Sequence, residues 1–235
     1  MRVLIGYSCC PITREAFRSR GFDAWTCDLL PARDGSRFHL QGDVWAVAND
    51  DWCMGIFHPM CTFLTVSAAW AFKDPDFERY PGVGYHQRVK PGTLMGRARR
   101  RAREEAILNF RRLLNLPYPK AIENPAPSFI SAAIRSPDQT IQPFQFGDDA
   151  SKRTGLWLDR LPKLRPTGFA SGRTVGATGT NLFGDGTMRW ANQTDAGQNA
   201  LSPSADRWLD RSATFPGIAN AMGQQWCSYM EGRPA

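Results

Sequence analysis

The chain predicts an α/β fold: a mostly parallel, twisted sheet with helices on both faces and an antiparallel hairpin at one edge. Three observations carry that expectation. Residues 2–28 read as strand, turn, helix, strand, with Pro11 where a helix can begin and Gly21 where it can end. The second and third strand candidates each run into an acid, Asp28 and Asp43, and in open parallel sheets ligands gather at the strands' carboxyl ends. Residues 139–146 alternate in polarity and residues 154–158 are β-prone, which suits a hairpin.

The first strand candidate is residues 2–7, apolar and β-prone, ending in Gly6-Tyr7-Ser8-Cys9-Cys10. Ile12, Ala16 and Phe17 recur at helical spacing after it. Residues 24–28 form the second strand and residues 39–43 the third, with a polar loop between them. Two acids at successive strand tips would suit a nucleoside-bearing cofactor, or would simply cap the following turns. Residues 44–51 read as a short helix and residues 53–57 as the fourth strand, which leads into His58-Pro59-Met60-Cys61. The connection 62–96 is long and rich in aromatics, either a mobile lid behind Cys61 or a short helix with solvated loop.

Residues 95–115 are the clearest helix, with Ala106, Ile107, Phe110, Leu113 and Leu114 as its apolar stripe. Its first half holds five arginines in seven residues: Arg97, Arg99, Arg100, Arg101 and Arg103. Such a run is either a solvated face or a phosphate contact. Residues 120–123 form the fifth strand, and residues 128–134 a short helix. Residues 167–204 are rich in Gly, Thr, Asn and Ser and cannot bury a core of their own. Residues 215–229 form the last helix.

Composition bounds the rest. With 235 residues, 42% hydrophobic and 22% charged, the chain suits one large domain. The division expected is 1–168 plus 211–235 as the main domain, with 169–210 as a small insertion. The first residues are interrupted too early for a signal peptide, and no apolar run reaches the ~20 residues of a membrane span. A soluble, cytoplasmic, monomeric protein without membrane contact is the expectation. The net charge of +7 favours a nucleic-acid partner. The six cysteines show no CxxC spacing and there are three histidines, so a metal centre is not expected.

The chemistry-bearing pair is Cys61 and Glu123, each just past or at the end of an apolar strand. Methylation of cytosine at C5 needs a thiolate that adds to C6, an acid near N3, and a pocket for a sulfonium donor. A thiol and a carboxylate on neighbouring strand tips would supply the first two. The nearby His58 is three residues from Cys61, too close in the same turn to serve as its base in a cysteine hydrolase.

Phe57-His58-Pro59-Met60-Cys61 and Ile122-Glu123-Asn124-Pro125 resemble the nucleophile and Glu-Asn-Val motifs of the DNA cytosine-5 methyltransferase family, in particular its small phage-encoded members. The resemblance implies a Rossmann-like S-adenosylmethionine-dependent methyltransferase fold, DNA as partner and S-adenosylmethionine as cofactor. It makes Cys61 the nucleophile and Glu123 the contact to the cytosine N3 edge. Arg153, or else Lys152, becomes the basic residue near the flipped base. It places Tyr7, Ser8, Cys9, Asp28, Leu29, Asp43, Val44, His58, Pro59 and Thr214 around the cofactor, and residues 214–223 stand where the family's last motif returns to that pocket. Arg97, Arg99, Arg100, Lys152, Arg173 and Arg189 are the expected nucleic-acid contacts, and 169–210 a reduced target-recognition region. Two departures stand out: Met60 replaces the motif's second proline, and Gly6-Tyr7-Ser8-Cys9-Cys10 replaces a Phe-x-Gly-x-Gly loop. They leave open a modified donor, another pyrimidine substrate, or a DNA-binding protein without turnover.

Overall fold

The structure is a computed structural model and describes residues 1–66, 68–176, 186–204 and 207–232. A seven-stranded sheet forms its centre. The strands are β1 (Arg2–Gly6), β2 (Asp23–Asp28), β3 (His39–Gln41), β4 (Met54–Phe57), β5 (Lys120–Pro125), β6 (Gln139–Ile141) and β7 (Thr154–Asp159), in the order β3-β2-β1-β4-β5-β7-β6. β1 pairs parallel with β2 and β4, β2 with β3, and β4 with β5. β7 runs antiparallel between β5 and β6. The β6–β7 hairpin is therefore present, but only β6 is an edge. β7 is interior because both its faces are apolar: Leu156 points to one layer and Trp157 to the other.

That alternation builds two cores. Val3, Ile5, Met54, Ile56 and Leu156 face the layer of α1 (Pro11–Arg18) and α5 (Pro216–Met230). Leu4, Phe57, Ile122 and Trp157 face α2 (Gly96–Leu114), whose Phe110 ring meets Trp157 edge-on at 5.1 Å. Helices thus cover both faces, as a parallel sheet requires. Two glycines set close approaches of α5. A Cβ at Gly223 would lie 2.6 Å from the Ala16 carbonyl of α1, and one at Gly217 would lie 2.1 Å from the Phe146 carbonyl. At the same turn Asp148 Oδ2 accepts from the Gly217 N–H at 2.9 Å and so satisfies the start of α5.

Several expected elements are shorter than the sequence suggests. The helix expected at 44–51 is a 3-10 turn at Val44–Ala46, because the Trp52 indole donates to the Val47 carbonyl at 2.7 Å and closes the segment. The helix at 128–134 shrinks to α3 (Ile130–Ala133). Among its described residues the connection 62–96 holds one 3-10 turn, Ala69–Phe72. The insertion carries a separate antiparallel pair, β8 (Arg173–Val175) and β9 (Thr187–Arg189), followed by α4 (Arg207–Ser212); its residues 177–185 and 205–206 lie outside the described ones. No helix among the described residues is long and apolar enough to cross a membrane.

Candidate active site

The strand order reverses at β1 and β4. From β1 the chain moves outward through β2 and β3, and from β4 it moves the other way through β5. The carboxyl ends at such a switch point splay apart and leave a crevice. The loops there are tied together: the Ser8 N–H donates to the Cys27 carbonyl at 3.1 Å, and the His58 N–H to the Gly6 carbonyl at 3.0 Å. Asn124 at the tip of β5 donates through Nδ2 to the Pro59 carbonyl at 3.0 Å. Cys61 sits in the turn beyond, where its carbonyl accepts from the Leu64 and Thr65 N–H groups. Met60, in place of a proline, is 65% exposed at the rim.

Glu123 lies at the centre of a charged group. His58 Nδ1 is 2.8 Å from its Oε2, and Lys152 Nζ is 3.9 Å from its Oε1. Oε2 is closed to solvent, and the His58 imidazole is the one group set against it among the described residues. The carboxyl side chain is 11% exposed and the imidazole 13%. Burial alone would raise the Glu123 carboxyl, but the His58 and Lys152 charges outweigh it and hold it at about 2. Burial pushes the Cys61 thiol up; Lys152 pulls it back, Glu123 adds to the rise, and Arg211 of α4 opposes it. Cys61 is therefore a thiol at rest, with cations close enough to favour its ionisation.

Six buried side-chain polar atoms among the described residues lack a hydrogen-bond partner, and four of them cluster here: His58 Nε2, Glu123 Oε2, Asn124 Oδ1 and Ser128 Oγ. Unpartnered buried polar atoms are rare in folded proteins, so four of them in one region leave hydrogen-bonding capacity for a further partner, water or ligand.

The expected cofactor residues line the neighbouring strand ends. Asp28 accepts from the Leu30 N–H at 2.9 Å and Asp43 from the Trp45 N–H at 3.0 Å, each through Oδ1. Each carboxylate caps its own turn and keeps its Oδ2 unpaired among the described residues, so capping does not exclude ligand contact. Their charges, after burial, push the Cys27 thiol between them up to about 11. Leu29 is exposed beside a cleft of about 300 Å3 between Cys9, Leu30, Arg33 and Trp208. Tyr7 takes a positive φ of 58° at the end of β1, where glycine would be easier, and its hydroxyl donates to Asn109 Oδ1 at 3.1 Å. Val44 is in the core and leaves only its main chain at the tip, while Thr214 is buried just ahead of α5. His58, expected with the cofactor group, faces Glu123 instead. These acids and exposed apolar side chains fit a nucleoside-bearing donor: oxygens for hydroxyl and amino groups, an apolar wall for a purine.

Lys152, rather than Arg153, is the basic residue brought to Glu123. Arg153 is exposed and its side chain has no polar partner among the described residues. The expected phosphate contacts divide sharply. Arg99 is 5% exposed and donates to the Thr62 and Leu94 carbonyls, which leaves it no surface for a phosphate. Arg100 holds the Phe72 carbonyl and Asp74. Arg173 binds the Trp190 and Gln193 carbonyls and Asp195, and Arg189 the Asp195 carbonyl. Arg97 is exposed. The Glu123–His58 pairing and the approach of Arg211 to Cys61 carry no linear signal, because the partners come from elements far apart in the chain.

No protein-family model matches this chain, and no curated protein matches it.

Proposed function

We propose that the chain is a DNA cytosine-5 methyltransferase on a Rossmann-like scaffold, with S-adenosylmethionine as donor. The observation that carries this reading is the meeting of Cys61 and Glu123 at one switch-point crevice, among the four unpartnered polar atoms. The strand order supports it: β7 is inserted antiparallel into an otherwise doubly wound nucleotide-binding order.

The residues act in sequence. The Cys61 thiol gives its proton to solvent, favoured by Lys152 and Arg211, and the thiolate adds to C6 of the flipped base. Glu123 holds the N3 edge as electron density moves there. Asp28 and Asp43 would hold the donor's ribose and adenine, and Leu29 would pack on the purine. S-adenosylmethionine, when bound, supplies an electrophilic methyl group. Lys152 keeps Glu123 oriented and balances its charge.

One observation favours a second substrate. A carboxylate held ionised accepts the N3–H of a uracil-type ring as readily as it stabilises a protonated cytosine. Incubation with labelled donor and either cytosine- or uracil-containing DNA, followed by mass spectrometry of the nucleosides, separates the two. The expected product is 5-methylcytosine, and Cys61→Ser abolishes it. Full activity in Cys61→Ser would falsify the covalent mechanism.

A further inference from the structure

We propose that His58 is the proton store for Glu123: it delivers the proton that Glu123 passes to N3 of the pyrimidine, and takes it back when the ring is restored. The proposal rests on the methyltransferase reading above. Its ground is geometry. N3 needs a proton at the moment Cys61 adds to C6, and Glu123 is the group at that edge. Yet Glu123 lies between two cationic side chains, which favour the carboxylate over the acid. The nearest proton-carrying atom is His58 Nδ1, 2.8 Å away on the side of the carboxyl group closed to solvent. The other ring nitrogen, Nε2, is buried and has no partner among the described residues. Nε2 therefore offers a proton no exit of its own, and Nδ1 is set against Glu123.

The charged groups facing the pair are few. Lys152 reaches Glu123 from the segment ahead of β7, and Arg211 of α4 and Cys61 itself lie on the thiol side. On the β1 side the His58 main chain meets only the Gly6 carbonyl.

The step balances. His58 and Glu123 begin with one shared proton. Cys61, having lost its proton to solvent, forms the Sγ–C6 bond, the ring electrons move towards N3, and the one shared proton passes from His58 Nδ1 by way of the Glu123 carboxylate to N3. The pair is then imidazole and carboxylate. The nucleophilic C5 takes the methyl group as the sulfonium–methyl bond breaks and its electron pair stays on sulfur. Loss of the C5 proton to water re-forms the C5–C6 double bond and expels the Cys61 thiolate. The N3 proton returns through Glu123 to His58.

The test is the pH profile of kcat for the wild type, His58→Asn and His58→Gln, with folding checked by thermal melts. His58→Asn keeps a donor near the Nδ1 position but cannot exchange a proton. The wild type gives a bell from two ionisations. His58→Asn loses one limb and about 10- to 100-fold in kcat, with KM for DNA and donor within about twofold. A His58 that only supports the loop would instead raise KM or lower the melting temperature and keep both limbs, and that result overturns the proposal. Should His58→Asn fail to fold, the same comparison is made with His58→Gln. Wild-type protein that makes neither 5-methylated pyrimidine nor a covalent adduct with 5-fluorocytosine DNA overturns the underlying reading instead. An active, Cys61-dependent wild type beside an unaltered profile in both His58 variants sinks the proton store alone.

Discussion

Glu123 shows how a single residue can be chemically poised by neighbours that its own sequence context does not reveal. The Ile122-Glu123-Asn124-Pro125 stretch identifies a carboxylate at a strand tip; that it sits against His58 and Lys152 follows only from the pairing of β4, β5 and β7. The consequence is measurable as stability. The folded carboxyl lies at about 2 against an ordinary 4.5, so folding favours the ionised form. A depressed value stabilises the fold above the ordinary value, and that contribution is lost as the pH falls towards the folded one. Between pH 4.5 and 2 the wild type should lose on the order of 3 kcal/mol through this group. Asp34 and Asp159, which also ionise more easily because of Arg14 and Lys120, fall in the same range, so the comparison must be with Glu123→Gln. Urea unfolding at stepped pH should show a shallower decline for Glu123→Gln. Parallel declines would mean that the His58 contact contributes nothing to folding.

At the scale of elements, α2 shows both what the sequence makes legible and what it hides. Its existence and length follow from the apolar stripe, and the structure differs by one residue at each end. The fate of its arginines does not follow from their number. Arg99 and Arg103 continue the spacing of Ala106, Phe110 and Leu113, in steps of four and three, and so lie on the inward stripe. Arg97 and Arg101 fall outside it and are exposed. Periodicity was thus the available signal, and a charge run obscured it. The inward arginines hold the connection behind Cys61. Arg99 donates to the Thr62 carbonyl and lies over the Phe63 and Phe72 rings, and Arg103 lies over Phe72 and Phe129. Arg99→Met keeps the stem packing and removes the donors, each worth roughly 2 kcal/mol for a charged hydrogen bond. It should speed hydrogen exchange in residues 62–74 and lower turnover while leaving DNA affinity near wild type. On the proposed DNA-binding reading, Arg97→Ala should do the reverse, weakening that binding and flattening its salt dependence. Exchange in 62–74 that is unchanged in Arg99→Met would remove the arginine from any role in holding the loop.

For the whole molecule, the insertion is where composition and structure part most. Residues 167–204 lack the apolar content for a core, and the sequence leaves them as a small appendage. Yet the segment is fastened to the loop that delivers Lys152. The Trp190 ring stacks on Phe144 at 4.5 Å. Asn192 accepts from the Ser151 N–H and donates to the Ser151 carbonyl, both at 2.9 Å. Gln142 Oε1 accepts from the Lys152 N–H at 2.9 Å. Polar and aromatic contacts of this kind replace a core, and composition alone cannot register them because the Asn192 contacts depend on a partner some 40 residues away. The appendage is therefore fastened to the loop that carries Lys152. The last turn of α4 carries Arg211, whose charge acts on Cys61, and the chain then enters α5. Asn192→Ala removes two hydrogen bonds, about 1 kcal/mol each, at a site remote from Cys61. It should lower kcat several-fold through Lys152 while KM for the donor stays constant, because Asp28 and Asp43 lie across the switch point on other strands. Adding Lys152→Met to Asn192→Ala should then cost little more than Lys152→Met alone, since both changes act on one contact. Additive losses in that double-mutant cycle would place the effect of Asn192 elsewhere than on Lys152.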